Sequence, residues 1–202
     1  WSAAGADGVV SDDEAVEMLQ QLELRLAAVT GAQADRMTRD EGWRLLTIGR
    51  QIERLVTQAG GLQMMFETQQ ALSGDGFELL LQLADSVITY RARHQRWQHP
   101  VALVELLVRD HANPRSLACV VRTLRQQLTQ LPAPHGEELL ARLPPTEQWP
   151  TIEMLTTAGA DGYLHTLLEL VEAIGVAGIG LSESIGSRFF SHADPGFHMV
   201  RA

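Results

Sequence analysis

Apolar residues recur along this chain at intervals of three and four, the period of amphipathic helices. Val16, Leu19, Leu22, Leu26 and Val29 predict a first helix from about Asp12 to about Asp35. Ser11 stands where a cap is needed, and the acids after it suit the positive end of the helix dipole. A second helix carries the stripe Leu45, Ile48, Ile52, Leu55, Ala59 and Leu62. Thr38-Arg39-Asp40-Glu41 has the form of a capping box that opens it. It runs to about Gln70, with Gly60-Gly61 as a place to bend.

Ser73-Gly74-Asp75-Gly76 reads as a turn. A third helix is expected over Phe77 to Trp97, with Phe77, Leu80, Leu81, Ala84, Val87, Ile88 and Arg91 on its inner side. A short apolar helix follows Pro100, from Val101 to about Arg109. Asn113-Pro114 has the form of a cap and first helical residue, opening a helix with the seam Leu117, Val121, Leu124, Leu128 and Leu131. Residues 132–150 are proline-rich connectors around a short helix at Glu137 to Leu143. The last long helix begins between Thr151 and Asp161 and ends near Phe190, with Leu164, Leu167, Leu168, Val171, Ile174 and Leu181 inside. Its Gly175, Gly178 and Gly180 signal close helix packing; no strand precedes them, as a dinucleotide loop requires. The expected fold is all-α, an antiparallel bundle of about five to seven helices, with residues 1–11 a tail or linker, 12–192 the bundle and 193–202 a second tail.

One position breaks the pattern. Gly42, Leu46, Gly49, Glu53, Val56 and Gly60 share a stripe beside the most apolar face, so Glu53 is expected to point inward. A carboxylate leaving water costs several kcal/mol unless it is paired. Arg50 and Arg54 flank it, and Asp85, Thr89, Tyr90 and Arg91 follow on the next long helix. The cluster reads either as a polar pocket in which arginines hold a carboxylate or phosphate, or as an internal ion-pair network that fixes how helices meet. A second cluster, Asp110-His111-Ala112-Asn113-Pro114-Arg115, reads either as an anion site at a helix start or as a cap with Arg115 bonded to Asp110.

Composition narrows the chemistry. The chain has 202 residues, 45% of them hydrophobic and 5% aromatic, enough for a helical core. Net charge is -9, yet residues 36–125 carry twelve arginines against nine acids between two acidic flanks. So acidic a balance argues against nucleic acid or an anionic membrane as the main partner, while leaving room for a local anion site. All sixteen basic residues are arginine. The absence of lysine removes Schiff-base chemistry and the lysine of phosphate-binding loops. Cys119 is the one cysteine, flanked by apolar residues as a buried thiol would be, so no internal disulfide or thiolate zinc cage forms. The run from Ala173 to Leu181 is too short to span a bilayer, and a cytoplasmic location is expected. Trp1 in place of Met points to a piece of a longer chain.

Neither Glu-x-x-His, which a di-iron bundle needs, nor His-Glu-x-x-His occurs. Asp161, His165, Glu169 and Glu172 align at helical spacing, as a solvated face does. No Gly-x-Ser-x-Gly elbow is present. No catalytic residue, metal or cofactor is nominated by the residues alone.

Several strings together resemble the alpha-E family of helical proteins with a Glu-Arg motif. They are Met37-Thr38-Arg39-Asp40 with Gly42-Trp43-Arg44, Gly49-Arg50-Gln51-Ile52-Glu53-Arg54, Ala84-Asp85-Ser86, Thr89-Tyr90-Arg91-Ala92-Arg93, Asn113-Pro114-Arg115-Ser116-Leu117 and Ser187-Arg188-Phe189-Phe190-Ser191-His192. His94 stands where the family usually has a tyrosine. The resemblance implies the C-terminal part of a longer unit. It also implies a partnership, in cis or in trans, with a circularly permuted ATP-grasp ligase and with transglutaminase-like proteins, in the making or modification of peptide or amide bonds. Two functions follow as expectations. One is a non-catalytic accessory or regulatory module of the ligase system. The other is a helical enzyme or binding domain acting on a small anionic or glutamyl-type substrate through the Glu/Arg cluster. An apolar face left open by a partial bundle would favour self-association.

Overall fold

The computed structural model describes residues 10–95 and 98–190, and these are helical with no strand among them. The expected end of a helix at Trp97, the terminal tails apart from residues 10 and 11, and Ser191-His192 lie outside the described residues. Two compact units are present, Trp1–Trp43 and Arg44–Ala202, a division that falls inside the stretch 12–192 read from sequence as one bundle.

In the first unit, helix α1 spans Asp12–Arg36. Ser11 Oγ accepts from the Glu14 amide and the Glu14 carboxylate accepts from the Ser11 amide, a reciprocal cap. No α1 residue is buried. Helix α2, Glu41–Glu67, begins with a different cap from the expected one. Asp40, not Thr38, accepts from the Trp43 amide at 3.0 Å, while Arg39 stacks on the Trp43 ring.

The second unit holds the core. The apolar stripe of α2 is buried as its period requires, from Ile48 through Ile52, Leu55 and Ala59 to Leu62. Helix α9, His165–Phe189, lies against it: a Cβ on Gly178 would sit 2.8 Å from Val56 Cγ2, and one on Gly175 3.5 Å from Ala59. The glycines are thus the close-packing signal that the sequence suggests. Helix α6, Leu117–Leu128, buries its whole expected seam, and Leu131 beyond it is buried too.

Several boundaries differ from expectation. The single helix expected from Phe77 is two, α3 at Gly74–Leu83 and α4 at Val87–His94. Asp85 between them takes φ 47°, a left-handed conformation that Asp adopts more readily than most residues. The break resets the helical phase, so Ile88 is 85% exposed and Arg91 faces solvent, against the inner side assigned to both. Next, Pro100–Val104 forms α5 and widens into a π-helical turn over Glu105–Arg109. Helix α6 then starts at Leu117 with Ser116 as its cap, so Asn113 is a turn residue and not a helix cap. Finally, α7 spans His135–Leu140 and α8 only Ile152–Leu155, and α9 starts later than the sequence suggests. Cys119 is half-buried.

Candidate functional site

The 3.6-residue period puts Arg54, Gln58 and Gly61 on one side of α2, beside the buried stripe and not within it. Facing them are the C-terminal end of α3, with Leu80, Leu83 and Ala84, and the turn that carries Arg115. Two pockets of about 160 and 260 Å³ meet here and share Thr57, Gln58, Leu83, Ala84 and Arg115. The larger opens past Glu53 and Arg54, and the smaller reaches inward to Leu62, Leu80 and Leu107. The result is one cleft, charged at its mouth and apolar at depth.

Glu53 does not point inward as its stripe suggests. Its side chain is exposed, because the buried face of α2 is the stripe through Ile52 and Leu55, and Glu53 lies one residue, about 100°, past Ile52. Arg54 is the inner member of the pair: it is half-buried and makes no hydrogen bond or ion pair among the described residues. Burial pushes its guanidinium below the usual arginine range, the neighbouring Arg115 charge adds to this, and Cys119 acts in the opposite sense. It stays cationic at neutral pH. Arg115 reaches Asp85 at 2.7 Å, but with side-chain exposures of 41% and 75% such a pair contributes at most about 1 kcal/mol. Two guanidinium groups therefore meet two carboxylates, Asp85 in a weak exposed pair and Glu53 exposed at the mouth, and the half-buried Arg54 is the charge least compensated. A guanidinium so placed suits an anion.

Gln58 adds a directional group. Its Nε2 donates to the Arg115 carbonyl at 2.9 Å, while its Oε1 is buried with no donor among the described residues. Turning the amide over would set two oxygens against each other, so the acceptor stays where it is.

The remaining residues of the sequence-based cluster go elsewhere. Tyr90 is buried, edge-on to Phe77, and its hydroxyl accepts from the His99 amide at 3.0 Å. Arg91 pairs with Glu78 at 2.8 Å. Arg50 and Thr89 are half-buried and do not line the cleft. Asp110 is held by Arg93, not by Arg115, and accepts from the Ala112 amide at 2.8 Å. Burial alone would raise its pKa, but the Arg93 hydrogen bond and the amides of Ala112 and Asn113, with the Arg93 charge, bring it below the ordinary value.

Asn113 is the keystone of the turn. Its Nδ2 donates to the Leu106 carbonyl at 3.0 Å and to Ser86 Oγ at 3.3 Å, and its Oδ1 accepts from the Arg115 amide at 3.1 Å. One buried side chain thus ties the α3–α4 break, the π-helical turn and the Arg115 turn together. Sequence reasoning nominated Arg54, Arg115, Asp85 and Asn113 but missed Gln58 and Gly61. Their signal was available: they follow Arg54 by four and seven residues on the same helical face.

Among the described residues no group of three or more His, Cys, Asp or Glu side chains could hold a metal ion. Asp161 and His165 form an exposed pair at 2.9 Å at the start of α9. No helix among the described residues is long and apolar enough to cross a membrane.

A family model, Alpha-E, described as a predicted alpha-helical domain with a conserved ER motif, matches residues 1–190. The chain contains one Glu-Arg dipeptide, Glu53-Arg54, at the mouth of the cleft. Similar proteins include an uncharacterized protein of Mycobacterium tuberculosis and one of Mycobacterium bovis, each 30% identical over 183 residues, or 86% of this chain. The chain spans 20% of the length of these curated relatives. No solved structure matches it.

Proposed function

The chain belongs to the Alpha-E family, and we propose that it is a non-catalytic binding module of an ATP-grasp peptide or amide ligase system, holding an anionic group in the Arg54–Arg115 cleft. The observation that carries this reading is the pairing of Arg115 with a half-buried Arg54, which has no ion pair among the described residues, in the wall of one cleft. Such a site attracts and orients a carboxylate or phosphate, and binding needs no acid or base beside it. The sequence resemblance supplies the ligase context.

The test is to mix the purified chain with the circularly permuted ATP-grasp protein encoded beside it or fused to it, and to measure mass by light scattering after size exclusion. A complex of defined mass is expected, and Arg54→Gln should leave its mass unchanged while slowing the ligase. Two proteins that never associate, with a ligase fully active alone, would sink the reading. The same run on the isolated chain reports self-association, for which the exposed apolar positions of α1, Leu19, Leu22 and Leu26 among them, offer a surface.

A second reading is favoured by one feature. Glu53 is exposed at the mouth beside Arg54, where a carboxylate is free to take a proton from a bound glutamyl-type substrate. In that case Glu53→Gln abolishes turnover and spares binding; in the module reading it changes neither.

A further inference from the structure

The two ends of the cleft differ in chemistry. At the inner end the wall is made by Leu62, Leu80, Leu83, Ala84 and Leu107, and Arg115 is its one charged residue. At the outer end stand Glu53, Arg54 and Arg115. A concave apolar wall open to solvent is unfavourable, and such walls with a few polar groups at one side are where small ligands bind. A bare inorganic anion would meet the guanidinium groups and leave the apolar wall uncovered. A neutral hydrocarbon would cover the wall and bring nothing to Arg54.

Size and charge narrow the ligand further. The inner pocket has a volume of about 160 Å³. An apolar cavity of about 150 Å³ takes up benzene, so a group of roughly six carbons fills a space of this size. Arg54 lines only the outer pocket and Gly61 only the inner one. Seven residues separate them in α2, so the two ends lie about 10 Å apart along the helix axis. One molecule that serves both carries its charge at one end and its apolar group at the other. Glu53 stands beside Arg54 at the mouth, so a doubly charged phosphate meets about twice the repulsion there that a singly charged carboxylate does. A carboxylate also matches the planar fork of a guanidinium.

We infer, taking the cleft as the anion site of the module proposed above, that it binds an aliphatic monocarboxylate of about eight carbons. The carboxylate lies on Arg54 and Arg115 and the tail fills the inner pocket. Arg115 reaches the carboxylate by leaving its exposed pair with Asp85.

Gly61 provides a way to close the inner pocket without disturbing the fold. A Cβ there meets nothing within 4 Å, and the residue lines that pocket, so Gly61→Leu puts a side chain into the space of the tail. Gly60 is exposed and equally open, so Gly60→Leu is the matched control.

Calorimetric titration of the full chain with butanoate, hexanoate, octanoate and dodecanoate tests the inference, with octanamide, octylamine and octyl phosphate for comparison. Affinity should rise about fourfold per methylene up to octanoate and then level as the pocket fills. Octanamide and octylamine should bind about tenfold more weakly than octanoate or worse, and octyl phosphate more weakly than octanoate. Arg54→Gln and Gly61→Leu should each lower octanoate affinity by about tenfold, with helical circular dichroism unchanged, and Gly60→Leu should not. Octanamide, octylamine or octyl phosphate binding as tightly as octanoate overturns the carboxylate assignment. Affinity that ignores chain length, or still climbs at dodecanoate, overturns the bounded apolar pocket. Octanoate binding that survives Gly61→Leu lies elsewhere and overturns the inference. Octanoate that does not bind the folded chain overturns it as well, whereas the module reading falls only with the ligase mixing experiment, which reads complex mass and ligase rate.

Discussion

Asn113 shows how much a single buried amide can do. It is 4% exposed, and its three hydrogen bonds reach three separate backbone segments. Asn113→Ala would leave the Leu106 carbonyl and the Arg115 amide without partners. Such a loss costs about 2 to 3 kcal/mol in all, readable as a lower urea midpoint. Because the same bonds aim Arg115, ligand affinity should fall with stability. Glu53→Gln is the contrast: an exposed side chain with no bond among the described residues changes stability by no more than about 0.5 kcal/mol. Asp110 carries the pH dependence. Its carboxyl titrates below the ordinary value of 3.8, so its contribution is fully present above that value and is lost as pH falls through the lower folded one. Acid unfolding monitored with and without Asp110→Asn should show a shallower acid limb in the variant.

At the scale of elements, arginine takes over work that caps and lysines share in other chains. Helices end with carbonyls that no intrahelical amide reaches, and a planar guanidinium can bind two of them. Arg125 donates to the carbonyls of Leu140 and Leu143 at the end of α7 and just beyond it. Arg109 does the same for Thr146 and Trp149, and Arg44 for Gln130 after α6. In this way connectors rich in proline, poor in amides, are held to the core. The α2–α9 contact depends on the opposite quality, the absence of a side chain. Gly178→Ala would press a methyl into the branched Val56 side chain at 2.8 Å, and overpacking of this kind costs about 1 to 3 kcal/mol despite the better helix propensity of alanine. Gly61→Ala, into open space in the same kind of helix, should instead raise stability by about 0.5 to 1 kcal/mol. Thermal melts of the two variants check both signs.

For the whole molecule, the decisive fact is where the buried residues fall. Every core residue among those described lies at Ile48 or beyond, while α1 buries nothing. The second unit therefore carries its own core, and limited proteolysis ahead of Asp40 should leave a fragment that melts cooperatively with a midpoint within a few degrees of the intact chain. A large drop would show that stability is shared across the division. The net charge of -9 bears on the cleft as well. Of the twelve arginines in residues 36–125, Arg54 and Arg115 line the cleft, so added salt should weaken the binding of an anionic ligand there.

The sequence by itself determined the all-α class, the buried faces of α2 and α6, the close approach signalled by the α9 glycines and the membership implied by motifs spread along the chain. Those properties rest on local period and spacing, which a linear string records directly. It also nominated Arg54 and Arg115, in two separate clusters that the fold brings to one cleft. Tertiary structure decided which charged residues share a cleft and which way they face. The left-handed Asp85 breaks a helical pattern that looks continuous and turns Ile88 and Arg91 outward, a phase change that periodicity carries no sign of. Asn113 looks like a helix cap and serves as a buried tie between distant segments. Glu53 sits a single residue beyond the buried stripe, and that one step of rotation separates a carboxylate needing a partner from one that faces water.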